Sequence, residues 1–258
     1  MKYTESDLLY LSGKKFSNGY ELRLTNNILL DRLHQTLQIV KGKNVLHIGC
    51  CDHIPLIEEK IKKNKWLHGL LDANCKRVIG IDINKDAVDY VNERKFAKEK
   101  VFCSDISKSG GLKCIPDIDY DYILLGEILE HVDNPVEFLS SLVSNVQELS
   151  CFKNVQYIIT VPNAYALRKG INRKRIECIN SDHRYWFTPY TIAKVMIRAG
   201  IVPTECYFAS YGTGGNGVNI PSELVYKALE IIRGVPCKHN SYLGDSIIVI
   251  GNNDLNGG

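Results

Sequence analysis

Three residues that could contact a ligand stand at the ends of short apolar runs in the first half of the chain. They are Gly49, Asp82 and Asp105. Segments with helical spacing separate these runs, and this alternation is typical of βαβ units in a parallel sheet. Such sheets bind ligands outside the carboxyl ends of their strands, near the switch in strand order. The sequence therefore predicts that the three residues line one binding edge.

The two acids have the hydrogen-bonding chemistry that an adenosine requires. Asp82 can accept from ribose hydroxyls, and Asp105 can accept from the adenine amino group while the amide of Ile106 faces a ring nitrogen. A dinucleotide fingerprint would need two further glycines in the first turn, where Cys51 and Ile54 stand instead. The pattern favours an adenosine ligand without a pyrophosphate, and plain strand-end capping is the alternative for each acid.

Two histidines are candidates for proton transfer, because an unperturbed imidazole titrates near neutrality. His131 follows the predicted strand 121–125, and His183 lies in an irregular stretch that interrupts the alternation of strands and helices. The alternatives are a loop tether for His131 and a surface position for His183. His47 and His53 are interpreted as packing or loop residues rather than as bases.

Apolar periodicity predicts the elements that position these residues. We expect a single domain over residues 1–258, with an N-terminal helical arm over 1–42 and an irregular insertion over about 164–188. The predicted helices cover 20–40, 54–63, 66–76, 135–149, 189–199 and 221–233, and the predicted strands cover 44–48, 78–81, 101–104, 121–125, 155–161, 201–210 and 246–250.

The composition is that of an ordinary globular domain. The 258 residues are 45% hydrophobic and 24% charged, and a net charge of +3 gives no case for nucleic acid or a membrane surface as partner. A polar opening segment and the lack of an apolar run of about 18 residues predict a cytoplasmic location. The nine cysteines form no C-x-x-C pair and are interpreted as reduced thiols. A zinc site built from distant cysteines and histidines is the alternative.

Four motifs together carry a resemblance to a known family; they are Val45–Cys50, Gly80–Ile83, Ser104–Ile106 and Gly126–Val132. Over residues 43–210 the chain resembles class I S-adenosylmethionine-dependent methyltransferases. Two later segments, 160–163 and 185–201, resemble the branch that includes ubiquinone-type and bacterial sugar O-methyltransferases. The resemblance implies S-adenosylmethionine as cofactor and S-adenosylhomocysteine as its product.

The resemblance also implies a fold. It is an α/β, Rossmann-like sheet of seven mostly parallel strands with helices on both faces, in which the last strand is antiparallel and lies beside the fifth. Two positions depart from the family pattern: His47 replaces the usual acid, and Cys51 replaces the usual second glycine. That acid normally supports the methionine amino group, so a degenerate module that binds poorly or does no chemistry is one alternative.

The resemblance assigns roles to residues on three sides of the expected site. His131 and His183 are the catalytic candidates, and the insertion forms the acceptor side. The cofactor residues are His47, Gly49, Cys51, Asp82, Ile83, Asp105, Ile106 and Glu127. The acceptor residues are Asn163, Tyr165, Arg168, Arg184 and Tyr185.

The acceptor is expected to be a sugar hydroxyl, in a nucleotide-sugar or a polysaccharide precursor. Methyl transfer to a quinone or another small metabolite is the alternative within the same family, and a dehydrogenase is disfavoured by the missing glycines. No metal is expected, because the sequence does not assemble the clustered acids of metal-dependent relatives. A homodimer is an open alternative to a monomer.

Overall fold

One mixed sheet organises the computed structural model, which describes residues 1–24, 30–166, 179–210, 242 and 244–253. The strands are β1 (Leu30–Asp31), β2 (Asn44–Ile48), β3 (Arg77–Asp82), β4 (Phe102–Cys103), β5 (Tyr122–Gly126), β6 (Gln156–Pro162), β7 (Ile201–Ser210) and β8 (Ser246–Asn253). The helices are α1 (Glu5–Leu11), α2 (Arg32–Val40), α3 (Ile54–Lys62), α4 (Leu67–Asn74), α5 (Lys85–Glu93), α6 (Pro135–Gln147) and α7 (Pro189–Arg198), with a 3₁₀ turn at Ser150–Phe152.

The strand order is β1-β7-β8-β6-β5-β2-β3-β4. Strand β8 runs antiparallel between β6 and β7, and the other neighbouring strands are parallel. The predicted Rossmann-like architecture is thereby confirmed, including a final antiparallel strand beside the fifth predicted one. The described sheet has eight strands rather than seven, because the two-residue strand β1 adds to its edge beside β7.

Helices cover both faces of the sheet, as predicted. Successive side chains of a strand point to opposite faces, and in β2 Leu46 joins the larger apolar cluster while Val45 joins a smaller one. Leu142 of α6 and Ile192 of α7 belong to the larger cluster. Leu71 of α4 belongs to the smaller one, so the sheet has an apolar layer on each side.

The predicted helix over 20–40 is wrong at residues 20–24, which are not helical, and at residues 30–31, which form a strand. Leu30 and Asp31 pair in parallel with the end of β7, and α2 begins only after them. The side chain of Asp31 accepts a hydrogen bond from the amide of His34 at 2.8 Å and so caps this helix. Pairing at the sheet edge has overridden the helical spacing of the leucines before Arg32.

The described part of the N-terminal arm holds the helices α1 and α2, and its first residues extend along β7. The amide of Tyr3 donates to the Thr204 carbonyl at 3.0 Å, and the amide of Cys206 donates to the Met1 carbonyl at 2.8 Å. The buried hydroxyl of Tyr3 donates to the Pro189 carbonyl at 2.7 Å. This arm covers backbone groups of β7 that would otherwise be an open sheet edge.

Several predictions fall outside the described residues: part of the insertion, with Arg168, the helix 221–233, and two of the cysteines. The seven described cysteines are free thiols. No helix in the described part of the chain combines the length and hydropathy that a bilayer-spanning segment requires.

Candidate active site

Two adjoining cavities lie at the carboxyl ends of β2, β3 and β5, where the strand order reverses between β2 and β5. Each has a volume of about 570 Å³, which is within the range of small-molecule sites. The cavities share five lining residues: Gly49, Asp82, Ile83, Ile128 and His131. Asp105 and Ile106 line the first cavity, whereas His47, Cys51, Glu127 and His183 line the second.

Gly49 makes the turn that opens this cleft. Its φ of +66° is in the left-handed region, and a Cβ atom there would lie 2.7 Å from Cδ1 of Ile128. Its amide donates to the Ile81 carbonyl at 2.7 Å, which joins the turn to β3. The position therefore requires glycine, both for its backbone conformation and for the close approach of Ile128.

Asp82 is the buried carboxylate between the two cavities. Its Oδ2 accepts from the amide of Cys51 at 2.9 Å, and its Oδ1 accepts from the amide of Asn84 at 2.9 Å. Burial raises the pKa of Asp82, and these backbone hydrogen bonds act in the opposite direction. The amides fix the carboxylate, and a carboxylate has lone pairs for further donors such as ribose hydroxyls.

Asp105 lies across the first cavity from Asp82. It accepts from the hydroxyl of Ser107 at 2.5 Å and from the Ser107 amide at 3.0 Å, and Lys108 lies 3.4 Å from its Oδ2. The Ser107 hydroxyl is the main cause that lowers the pKa of Asp105. The two strand-end acids therefore face one hollow.

Asn145 holds the loop that carries Asp105, although the sequence analysis did not single it out. This buried side chain on α6 donates to the carbonyls of Ile106 and Lys108 at 3.0 and 2.9 Å, and it accepts from the amide of Gly111 at 3.1 Å. The available sequence signal was a polar residue, Asn145, among the apolar residues of the predicted helix 135–149, because a buried polar side chain needs hydrogen-bond partners.

Glu127 follows β5 and has a φ of +57°, which is uncommon for a residue other than glycine. Its amide donates to the Thr160 carbonyl at 3.0 Å, and its Oε1 accepts from the Ser246 hydroxyl at 2.9 Å. Arg32 at the start of α2 brings its Nη1 to 3.5 Å from the same carboxylate oxygen. No local sequence pattern placed Arg32 in this cavity.

His47 is buried beneath the second cavity and contacts a second buried histidine, His68 of α4. Their Nδ1 atoms are 3.1 Å apart and their rings are stacked. Burial is the main cause that lowers the pKa of both imidazoles, to about 4 for His68. One ring must donate and the other accept, and the lowered pKa of each imidazole favours its neutral form. The cofactor role of His47 stays a prediction.

The two catalytic candidates, which are far apart in the sequence, meet in the lining of the second cavity. The rings of His131 and His183 lie edge to face with centroids 4.7 Å apart. The Nδ1–H of His131 donates to the Asp182 carbonyl at 3.2 Å. Burial and the neighbouring His131 lower the pKa of His183, which favours its neutral form.

Glu130 is a fully buried acid in the same cavity that the sequence analysis did not include in the site. Neither of its carboxylate oxygens accepts a hydrogen bond from a backbone amide, a hydroxyl or a cationic side chain that the structure describes, and its carboxyl faces that of Glu127. Burial, and then the charge of Glu127, raise the pKa of Glu130 to about 9. Glu130 belongs to the sequence motif Gly126–Val132. Its burial depends on segments that are distant in the sequence, so the motif alone did not indicate it.

Two predicted acceptor residues hold the turn after β5 instead of lining either cavity. Nε of Arg184 lies 2.7 Å from Oδ1 of Asp133, and its guanidinium also donates to the His131 carbonyl. The Tyr185 hydroxyl donates to the Asp133 carbonyl at 2.7 Å. These contacts support a positioning role for both side chains, and their predicted contact with the acceptor stays a prediction.

Asn163 and Tyr165 are likewise used within the fold. The Asn163 amide group donates to the carbonyls of Tyr242 and Gly244 at 2.7 and 2.6 Å, and its oxygen accepts from the Tyr165 amide at 3.1 Å. The Tyr165 and Tyr242 rings meet edge to face at 6.3 Å. These hydrogen bonds show that Asn163 holds the surrounding loop, and its predicted contact with the acceptor stays a prediction. Arg168 lies outside the described residues.

Comparison with known proteins gives this geometry a family. A family model described as a methyltransferase domain matches residues 21–205. Among curated proteins no significant sequence match was found.

Solved structures with a similar fold are numerous. A SAM-dependent methyltransferase from Archaeoglobus fulgidus has 22% identity and a TM-score of 0.49, and the match covers 86% of this chain and 91% of that one. A protein assigned as a methyltransferase, in complex with the Haloferax volcanii Trm112 methyltransferase activator, has 14% identity and a TM-score of 0.50 over 85% of this chain and 88% of that one. At this identity the match supports a shared fold alone.

The fold and the cleft at its switch point define a class I methyltransferase architecture. The chain belongs to the methyltransferase-domain family, and this family match confirms the predicted enzyme class and its cofactor, S-adenosylmethionine. The residues present fit this cofactor, because the first cavity offers two carboxylates to an adenosine and Gly49 leaves room that a Cβ atom would fill.

Proposed function

We propose that this methyltransferase transfers the methyl group to a hydroxyl oxygen of a small polar acceptor, of which a sugar or nucleotide-sugar is the best candidate. The observation that carries the proposal is the division of one cleft into two parts. The first part has two acids suited to adenosine. The second part is lined by polar and charged side chains, among them Lys60, Asp52 and Asn180, and contains both catalytic candidates.

In this proposal the first cavity holds the cofactor. Asp82 accepts from the ribose hydroxyls, and Asp105 together with Ile106 contacts the adenine. The methionine end of the cofactor extends along Gly49 and Cys51 toward the second cavity. Ile83, Glu127 and His47 complete the cofactor side. These assignments rest on the lining residues of the two cavities. When bound, the cofactor supplies a methyl group on a sulfonium centre.

The residues of the second cavity would then orient and activate the acceptor. A new O–CH₃ bond forms as the S–CH₃ bond breaks, its electron pair stays on sulfur, and the hydroxyl proton must leave. Alignment accounts for much of such catalysis, and a positioned imidazole can take the proton. His131 and His183 are the proposed groups, since both line the cavity and the lowered pKa of His183 keeps it able to accept a proton.

Further features of the whole protein are proposed on the same basis. We propose a single domain over residues 1–258 with an acceptor-side insertion at about 164–188, in a reducing cytoplasmic setting that suits the free thiols of the described cysteines. A homodimer is proposed as an alternative to the monomer. The nearly neutral net charge of +3 supports a small-molecule acceptor rather than nucleic acid or a membrane.

Two measurements test the function. Calorimetric titration with S-adenosylhomocysteine should show one cofactor site per chain, and lack of binding would contradict an active enzyme and favour a degenerate module. Radiolabelled S-adenosylmethionine is then offered with a panel of nucleotide-sugars and, separately, with quinols. We expect label in the nucleotide-sugars, because more charged and polar side chains line the second cavity than the first. Label only in the quinols would overturn the proposed acceptor class.

A further inference from the structure

Three potential metal ligands meet at the inner end of the second cavity. Glu130, His131 and His183 each offer one ligand atom, and these atoms all lie within 4.8 Å of one another. Glu130 and His131 are adjacent in the turn after β5, whereas His183 comes from the segment before α7. Two imidazoles and one carboxylate are a ligand set that transition metals accept with coordination positions left open.

The carboxylate of Glu130 is the second, independent observation. Its side chain is fully buried, and neither oxygen accepts a hydrogen bond from a backbone amide, a hydroxyl or a cationic side chain in the described part of the chain. The guanidinium of Arg32 forms an ion pair with the neighbouring acid Glu127 at 3.5 Å. A buried acid without such donors is costly, and a bound cation would complete its coordination.

The backbone around the cluster fixes the ligands as metal sites require. A carbonyl can only accept, so the hydrogen bond from His131 to the Asp182 carbonyl at 3.2 Å places the proton on Nδ1 and leaves the lone pair on Nε2. Metal-binding histidines commonly donate their other N–H to a backbone carbonyl in this way. The Arg184 amide donates to the Glu130 carbonyl at 2.7 Å, which ties the two segments together.

We infer that Glu130, His131 and His183 form a binding site for one divalent transition-metal ion such as Mn²⁺ or Co²⁺, with open positions that face the second cavity. The site requires neither of the two acids that contact adenosine in the first cavity. It differs from the sequence-based expectation of no metal, because residues 130 and 183 of the ligand set come from separate segments.

The consequence for the reaction rests on the proposed function. A divalent ion lowers the pKa of a coordinated hydroxyl and orients it. The acceptor hydroxyl would therefore lose its proton to solvent before or during attack on the methyl group. His131 and His183 would then act as ligands instead of as proton acceptors.

Metal binding can be measured without turnover. The chelator-treated protein is titrated calorimetrically with Mn²⁺ and with Co²⁺, beside Glu130→Gln, His183→Gln and the control His53→Gln. His53 is exposed and lines the same cavity outside the cluster. We expect one equivalent to bind to the wild type and to the control. Each ligand variant should lose about 100-fold or more in affinity, beyond the 10- to 100-fold typical of outer-shell changes.

Each protein is also titrated with S-adenosylhomocysteine, and its thermal unfolding is recorded to show that it is folded. If neither ion binds to the wild type, or if both ligand variants bind as the wild type does, the metal site is wrong. If the metal site is refuted in this way but the wild type still binds S-adenosylhomocysteine, the proposed function is not contradicted. Loss of S-adenosylhomocysteine binding in the wild type would instead count against the proposed function.

Discussion

At the scale of single residues, Asp82 combines two tasks that are usually separate. Its carboxylate accepts from the amides of Cys51 and Asn84, and so it joins the turn after β2 to the start of α5. The same carboxylate lines both cavities. A substitution there acts on the fold and on the ligand, and a test must separate the two effects.

The first prediction concerns Asp82→Ala. A lost hydrogen bond to a charged group costs about 1.5–3 kcal/mol, so affinity for S-adenosylhomocysteine should fall roughly 10- to 150-fold. Calorimetric titration measures this change, and thermal unfolding without ligand reports the structural part. The control is Asp86→Ala, since Asp86 is exposed in the first turn of α5. An affinity within about twofold of the wild type would refute the ribose assignment.

At the scale of elements, helix α6 holds the loop that carries Asp105 on the adenosine side of the cleft. Asn145 of α6 reaches the loop after β4 through the carbonyls of Ile106 and Lys108 and the amide of Gly111. A Cβ atom on Gly111 would lie 2.5 Å from the Asp105 carbonyl, so the loop lies close against itself. The position of Asp105 is therefore set by tertiary contacts.

The second prediction follows for Asn145→Ala. The carbonyls and the amide of the loop after β4 would lose the Asn145 side chain as hydrogen-bond partner. This loss should lower the free energy of unfolding by about 1–3 kcal/mol. Affinity for S-adenosylhomocysteine should also weaken, because the loop that carries Asp105 loses its support. Urea unfolding and calorimetry measure the two effects. Ser144→Ala is the matched control, as its exposed hydroxyl contacts only the Ser140 carbonyl; equal affinities for both variants would contradict the positioning role.

At the scale of the whole molecule, the buried pair of His47 and His68 couples stability to pH. Both imidazoles have a lowered pKa in the folded protein, about 4 for His68 against 6.5 ordinarily. As the pH falls, the unfolded chain binds protons first. The stabilisation is thus complete above about pH 6.5 and is lost as the pH falls toward 4. Glu130 acts in the opposite sense, because its pKa is raised by burial.

The third prediction therefore compares the pH dependence of the free energy of unfolding between the wild type and two variants. Lowering the pH from 7.5 to 5 should cost the wild type about 2 kcal/mol more free energy of unfolding than it costs His68→Gln. Urea unfolding at the two pH values measures this difference. The contribution of Glu130 to the pH dependence is the same in both proteins and cancels. His34→Gln, at an exposed position on α2, should behave like the wild type. The same pH dependence in both variants would show that the buried pair does not titrate as inferred.

Much of the fold could be predicted because its signals are local. Apolar runs that end in Gly49, Asp82 and Asp105 alternate with helical spacing, and this alternation dictates a parallel sheet whose strand ends meet at one edge. The cofactor class follows from the same residues, since strand-end acids suit an adenosine. The helix expected over 20–40 failed at the sheet edge, where residues 30 and 31 pair with β7.

The amino-acid sequence alone determined the architecture and the two acids that line the cofactor side, because periodicity and turn chemistry act over a few neighbouring residues. Only the tertiary structure decided that Glu130 is buried beside His131 and His183, that Arg32 reaches Glu127, and that His47 is paired with His68. These contacts join segments far apart in the chain, and burial, which sets their charge and their ligand chemistry, exists only once those segments pack together.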